Sequence, residues 1–275
     1  MRFIKKGVSL VLALLAITST ANAATPVKHT AGVPDSLVTA DYVESSAGDE
    51  PYLIKCNPHA TRIILFLHTW SGDYQQVKTA FPELAAVESA CIISPNFNGP
   101  NTTAQALGSD DTLIRIDAVV KDAQSKTGLK RLDISAVSGG TMEALSYMGK
   151  YPGKVHAASI WLVIYDLASI YNTTQDQQLK DNMLAILGAA PTGPDDPVYL
   201  ERSPRARLST IKGPTKLTMN VGTMDTSTPG LQALLAKDHI TSVAKDVSVT
   251  IKTWPITHEF SAPVRQEALK QLTLE

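Results

Sequence analysis

Ser138 stands where an apolar run meets a run at helical spacing, and the two residues after it are glycines, Gly139 and Gly140. Leu132, Ile134, Ala136 and Val137 read as a strand, and the residues from 139 onward read as the opening of a helix. Glycines at such a junction remove the Cβ atoms that would collide where strand and helix meet so closely. The turn forces the serine hydroxyl outward, as a nucleophile requires. A serine alcohol is weak at neutral pH, however, and needs a neighbouring base that is itself held in one tautomer by a carboxylate. Two downstream segments offer these groups: the strand-like run 217–221 is followed closely by Asp225, and the alternating run 247–254 is followed closely by His258. All three residues then fall at the C-terminal ends of strand-like runs, where α/β sheets form their sites. The chemistry would be acyl transfer, with Ser138 attacking, His258 taking its proton and Asp225 orienting the imidazole. Each residue also has a plainer reading. Ser138 or Asp225 would cap a helix, and His258 would be a surface histidine. Asp238 and His239 form another acid and histidine pair, read as structural because they sit near a helix end.

The elements that must position these groups follow from periodicity. From Pro51 onward, short apolar runs alternate with helical patterns: 52–55, 62–68, a helix near 74–88, then 91–94. That alternation predicts an α/β fold with a mostly parallel sheet. Leu113, Ile114, Ile116, Ala118, Val119 and Ala123 recur at helical spacing over 110–125, with Ser109 and Asp110 as candidate caps. After the Ser138 helix, which Pro152 and Gly153 end, 157–164 and 215–221 read as buried strands, 247–254 as the next, and 262–274 as a final amphipathic helix. Between Tyr165 and Pro214 lies an insertion rich in Gln, Asp, Pro and Gly, with one helical piece over 179–187. The stretch 24–50 is polar and predicts an arm or a first hairpin.

Arg2, Lys5 and Lys6 precede the apolar run 7–17, and Ala21-Asn22-Ala23 supplies small residues for cleavage. This pattern predicts a signal peptide over 1–23, a secreted or periplasmic protein, and one large domain over 24–275. No later stretch reaches the roughly 18–20 apolar residues of a membrane span, so stable membrane insertion is not expected. The formal net charge is −1, and removing three leader cations makes the remainder more acidic. No basic field invites nucleic acid. Cys56 and Cys91 are the two cysteines. In an exported chain an even pair favours a disulfide, the alternative being two buried thiols. No metal-ligand spacing surrounds them, and no metal or cofactor is expected.

Taken together, these segments resemble the prolyl-oligopeptidase-like group of α/β-hydrolases, which includes secreted esterases and peptidases. The resemblance rests on Ala136-Val137-Ser138-Gly139-Gly140, a variant of G-x-S-x-G, on the segments 67–74 (LHTWSGDY), 95–101 (PNFNGPN) and 201–204 (ERSP), and on Gly222-Thr223-Met224-Asp225. It runs from about Tyr52 to the C-terminus. It implies an eight-stranded hydrolase sheet, the Ser138, Asp225 and His258 triad, and a small cap over the site built from residues 165–214. It also implies two oxyanion donors, the N–H of Gly139 and, from the loop after the 62–67 strand, that of Trp70. His68 would brace that loop. Trp70, Trp161 and Tyr165 are candidates to line the pocket, with Trp161 equally readable as a core aromatic. Ala136 and Thr69 replace glycines of the family pattern, and Thr257 stands before the histidine where glycine is common. The expected substrate is a small-molecule or polymeric carboxylic ester. A peptidase of the same group is the alternative, as is a non-catalytic binding protein on a hydrolase scaffold.

Overall fold

The computed structural model describes residues 33–273. The leader inferred for 1–23 lies outside the described residues. Among the described residues eight strands form one sheet: β1 (Val43–Ala47), β2 (Glu50–Cys56), β3 (Arg62–Leu67), β4 (Ala90–Pro95), β5 (Leu132–Val137), β6 (Val155–Trp161), β7 (Thr215–Gly222) and β8 (Val247–Trp254). Their spatial order is β1-β2-β4-β3-β5-β6-β7-β8. Only β2 runs against its neighbours β1 and β4; every other pairing is parallel. The chain leaves β3 toward one edge of the sheet to form β4, then returns across β3 to form β5 and proceeds toward the other edge. The connections therefore diverge at the C-terminal ends of β3 and β5, and that divergence opens a crevice in doubly wound sheets.

Eight helices accompany the sheet among the described residues: α1 (Val77–Ala80), α2 (Asp110–Thr127), α3 (Gly139–Lys150), α4 (Leu167–Thr173), α5 (Gln177–Leu187), α6 (Pro197–Arg202), α7 (Leu231–Val243) and α8 (Ala262–Thr273). Strand alternation sends Ile63, Leu65 and Leu67 of β3 into a core shared with α2, α3 and α7, and sends Ile64 and Phe66 into a second core shared with α8 and the 77–87 segment. Both faces are covered, which is why the strands read as continuous apolar runs rather than alternating ones. Ser109 caps α2 by accepting from the Thr112 N–H at 3.0 Å, and Gly128 ends it at φ +74°.

Two helical expectations need correction. The segment 74–88 is not one helix but a 3-10 turn over Tyr74–Gln76, the four-residue α1, and a second 3-10 turn over Pro82–Ala86. Pro82 has no N–H to continue the ladder of α1, so the helix stops at Ala80. The insertion holds three helices, α4 to α6, rather than one. Their caps are Asp166, Asp176 and Asp196, each accepting from a backbone N–H of the first turn. These Asp caps, with Pro197 at the start of α6, are the signals that a periodicity reading of such short helices misses.

Cys56 and Cys91 are register partners on the antiparallel strands β2 and β4, and they form a disulfide across Cα atoms 3.9 Å apart. The bridge closes a loop over a sequence separation of 35 residues that contains β3. In the chain-entropy account such a loop is worth about 3–4 kcal/mol of stability. The double variant Cys56→Ala/Cys91→Ala is expected to lose about that amount in chemical unfolding. A loss below about 1 kcal/mol would show that the hydrogen-bonded register already holds these strands without the bridge.

Candidate active site

Ser138 occupies the single residue between β5 and α3, with φ +51° and ψ −120°. A non-glycine residue there carries a backbone cost of about 1–3 kcal/mol, which the surroundings must over-determine. Its N–H donates to the Trp161 carbonyl at 2.8 Å, and its carbonyl accepts from the N–H and hydroxyl of Thr141 at 2.8 and 2.6 Å. The serine side chain makes no cap bond to α3. Its Oγ instead lies 2.9 Å from His258 Nε2.

The two glycines after Ser138 are required by a close approach. A Cβ on Gly139 would lie 2.5 Å from the Trp70 nitrogen and 2.6 Å from its Cα. A Cβ on Gly140 would collide with the Leu67 carbonyl oxygen and lie 2.6 Å from that of His68. The first turn of α3 is therefore pressed against the loop that leaves β3. That contact sets the Trp70 amide beside Gly139, at the positive end of α3 where four N–H groups lack helical partners. The Trp70 N–H finds no acceptor among the described residues.

Thr69 is held by one side chain. Gln76 Oε1 accepts from the Thr69 N–H at 2.8 Å, and Gln76 Nε2 donates to Thr69 Oγ1 at 2.8 Å. Nothing in the local sequence marks Gln76 for this role. His68 is fully buried, stacked on Phe97 with ring centroids 3.8 Å apart, and its two nitrogens lie 3.0 and 3.1 Å from the Thr69 and Asn96 carbonyls. Burial pushes its pKa below the ordinary histidine value despite those two carbonyls. It braces the loop through these contacts.

The acid and the base are brought together by strand register. Gly222 and Trp254 are partners at the ends of β7 and β8, and beyond them the Thr223 and Met224 N–H groups donate to the Trp254 and Ile256 carbonyls. A Cβ on Gly222 would lie 2.5 Å from the Ile256 oxygen, so the two loops touch there. Asp225 Oδ2 consequently lies 2.9 Å from His258 Nδ1. Because a carboxylate only accepts, Nδ1 carries the proton and Nε2 presents its lone pair to Ser138. The Asp225 side chain is fully buried, whereas that of His258 is 31% exposed. Burial alone would raise the Asp225 pKa, but the hydrogen bonds from His258 and Thr228 outweigh it and hold the carboxyl below its usual value. Thr228 donates to Oδ2 at 2.6 Å, while the Ser227 and Thr228 N–H groups bond Oδ1 at 2.8 and 3.0 Å. The sequence reading passed over Thr228; the Asp-x-x-Thr spacing was the available signal.

Ser138 and His258 open onto a cavity of about 310 Å³. Trp70, Leu162, Ile164, Leu179 and Phe260 supply its apolar lining, and Asp176, Gln178, Asn182 and Ser227 its polar one. The insertion thus contributes one wall through α5. Trp70 lines the cavity as expected from its position, but Trp161 and Tyr165 do not. Trp161 ends β6 fully buried on the α8 face, 5.5 Å from Trp254 and 5.9 Å from Phe260. Leu162 follows with φ +61°, and this turn brings Leu162 and Ile164 to the cavity instead. Tyr165 points away, its hydroxyl 2.8 Å from His239 Nδ1 on α7, so the Asp238-His239 pair has no part in this site. Among the described residues no group of three His, Cys, Asp or Glu side chains is placed to hold a metal, and no helix is long and apolar enough to cross a membrane.

No protein-family model matches the chain, and no curated protein matches it. Its fold does match solved structures. Over 84% of this chain it superimposes on Pyrococcus horikoshii acylaminoacyl peptidase with a TM-score of 0.65 and 14% identity, covering 39% of that protein. A Mycobacterium tuberculosis puromycin-hydrolyzing peptidase gives 0.65 and 17% identity over 83% of this chain and 38% of the other. Acetyl xylan esterase 1 from a Thermoanaerobacterium species gives 0.60 and 16% identity, with 82% and 78% coverage. The chain spans about two fifths of the length of the peptidases it matches. The fold is that of the α/β-hydrolases, with the eight-stranded, mostly parallel sheet that the resemblance implied.

Glu143, one turn into α3 from Gly139, is fully buried; its Oε1 accepts from the Gly108 N–H at 3.2 Å and its Oε2 has no partner. Burial pushes its pKa up to about 8, against the lowering effects of Gly108, Arg207 and Arg202. An acid whose pKa is raised on folding contributes stability that is intact below its unfolded value and declines as pH rises toward the folded value. Glu143→Gln keeps the acceptor and removes that dependence. The variant is expected to gain about 3 kcal/mol over wild type at pH 7, a gain that shrinks to about 1 kcal/mol at pH 5. Thermal unfolding at pH 5, 6, 7 and 8 reads this. A difference independent of pH would mean that the buried carboxyl is neutral, or charged, throughout.

Proposed function

We propose that the protein is a serine hydrolase that cleaves carboxylic esters through an acyl-enzyme. The observation that carries this reading is the continuous relay from Ser138 Oγ to His258 Nε2 and from His258 Nδ1 to Asp225 Oδ2, each step 2.9 Å. Ser138 Oγ attacks the ester carbonyl carbon while His258 Nε2 takes its proton; the imidazolium so formed is stabilised by Asp225, which stays ionised. The negative charge that develops on the carbonyl oxygen is met by the N–H groups of Gly139 and Trp70, an interaction typically worth about 3–4 kcal/mol per donor. Collapse breaks the C–O bond to the alcohol, which leaves with the proton from His258. Water then attacks the acyl-Ser138 ester as His258 accepts its proton, and on collapse the C–Oγ bond breaks, His258 returns that proton to Ser138 Oγ and the acid departs.

Insertion helices α4 to α6 act as a cap, since α5 supplies one wall of the cavity. A disulfide between Cys56 and Cys91, together with the leader-like pattern of residues 1–23, favours export to an oxidising compartment. The peptidases among the fold neighbours keep amide hydrolysis as the second reading. The ratio of turnover on p-nitrophenyl esters to that on chromogenic peptide amides separates the two.

Purified protein treated with a fluorophosphonate probe is expected to carry one adduct, mapped by mass to Ser138 and absent from Ser138→Ala and His258→Ala. Turnover of a p-nitrophenyl ester should fall by about 10⁴-fold or more in Ser138→Ala and by about 10³–10⁴-fold in Asp225→Asn. Folded wild type that resists labelling, or a Ser138→Ala variant of full esterase activity, would sink the reading.

A further inference from the structure

The cavity beside Ser138 contains no lysine or arginine in its lining; its ionisable groups are His258 and Asp176. His258 already has its carboxylate partner in Asp225. Asp176 has none, because no Lys, Arg or His nitrogen lies within ion-pair distance of it among the described residues. Its Oδ1 is engaged, accepting from the Leu179 N–H at 3.1 Å to cap α5. Its Oδ2 meets only the Ser227 hydroxyl, at a long 3.5 Å. One carboxylate oxygen is thus left with spare acceptor capacity in a partly closed cavity, where an opposite charge is attracted more strongly than in bulk water.

The position of this carboxylate is fixed. The Gln175 N–H donates to the Thr226 carbonyl at 2.9 Å and Thr174 Oγ1 to the same oxygen at 3.4 Å, which fastens the start of α5 to the loop that carries Asp225. Ser227, the residue that Asp176 Oδ2 touches, donates its own N–H to Asp225 Oδ1. Asp176 therefore sits on the wall adjoining the His258 relay rather than at a distant rim. Trp70 and Phe260 line the same cavity.

We infer that Asp176 makes this cavity selective for esters bearing a positive charge, an ammonium or quaternary ammonium group, over neutral and anionic ones. The inference rests on the hydrolase reading above. It assigns Asp176 to substrate recognition in addition to its role as helix cap. An anionic acyl or alcohol group would face a carboxylate without an ion-pair partner, and no lysine or arginine.

The test compares butyrylthiocholine with S-(3,3-dimethylbutyl) thiobutyrate, in which a tert-butyl group replaces the trimethylammonium and only the charge differs. Wild type is expected to prefer the cationic thioester by about fivefold in kcat/KM at low ionic strength, with the preference shrinking in high salt. In Asp176→Asn the ratio, taken within that protein, should fall toward one. Asparagine caps helices about as well as aspartate, so the cap survives the change. The salt dependence of wild type reads the same charge without any variant. A wild-type ratio near one, or a preference that persists in Asp176→Asn, overturns the inference while leaving the hydrolase reading intact. Absence of Ser138-dependent turnover on both thioesters overturns the hydrolase reading and this inference with it.

Discussion

The first turn of α3 lies so close to the loop after β3 that no side chain fits between them. A Cβ on Gly140 would enter the Leu67 and His68 carbonyls, and one on Gly139 would enter the Trp70 amide. Much else depends on this contact. It fixes the distance between β5 and the β3 loop, leaves Ser138 in its strained turn with the hydroxyl directed outward, and sets a second N–H beside that of Gly139. Interiors are close-packed, so there is no soft neighbour to absorb a methyl group here. The glycines are needed for the space they leave empty more than for their backbone freedom.

The other half of the site is assembled by a different device, hydrogen-bond register. Parallel pairing of β7 with β8 carries Asp225 and His258 to the same height, and the bonds from Thr223 and Met224 extend that pairing into the loops. The buried carboxylate is then held by four donors, counting His258, Thr228 twice and Ser227. A charge taken out of water is tolerated only when its oxygens are satisfied in this way. These donors keep Asp225 ionised, and an ionised Asp225 fixes the tautomer of His258. The chemistry of the relay and the packing of the loop are one arrangement.

The insertion between β6 and β7 is tied to α7 where it begins and to the loop that carries Asp225 at the start of α5. Gln232 on α7, fully buried, accepts from the Tyr165 and Asp166 N–H groups where the insertion begins, and Ser203 accepts from the Leu167 N–H where it closes on itself. The start of α5 is tied to the Asp225 loop. A wall of the cavity and the loop that holds Asp225 are therefore joined by hydrogen bonds.

Sequence alone determined the alternation of strands and helices and the spacing of the two glycines after Ser138. It also determined the placement of Asp225 and His258 just past strand ends, because these depend on local patterns of apolar residues and on the backbone rules for glycine. It could identify neither Gln76 as the support of Thr69 nor Asp176 as an unpaired charge beside Ser227. Those roles arise only when segments distant in the chain are folded against one another. The same limit applies to Trp161 and Tyr165. Their residue types suited a binding pocket, but the positive φ of Leu162 turned the chain so that aliphatic side chains took the cavity and both aromatics packed elsewhere. Single-residue backbone turns of this kind are selected by tertiary packing, and a leucine in the left-handed region leaves no mark in the periodicity of a sequence.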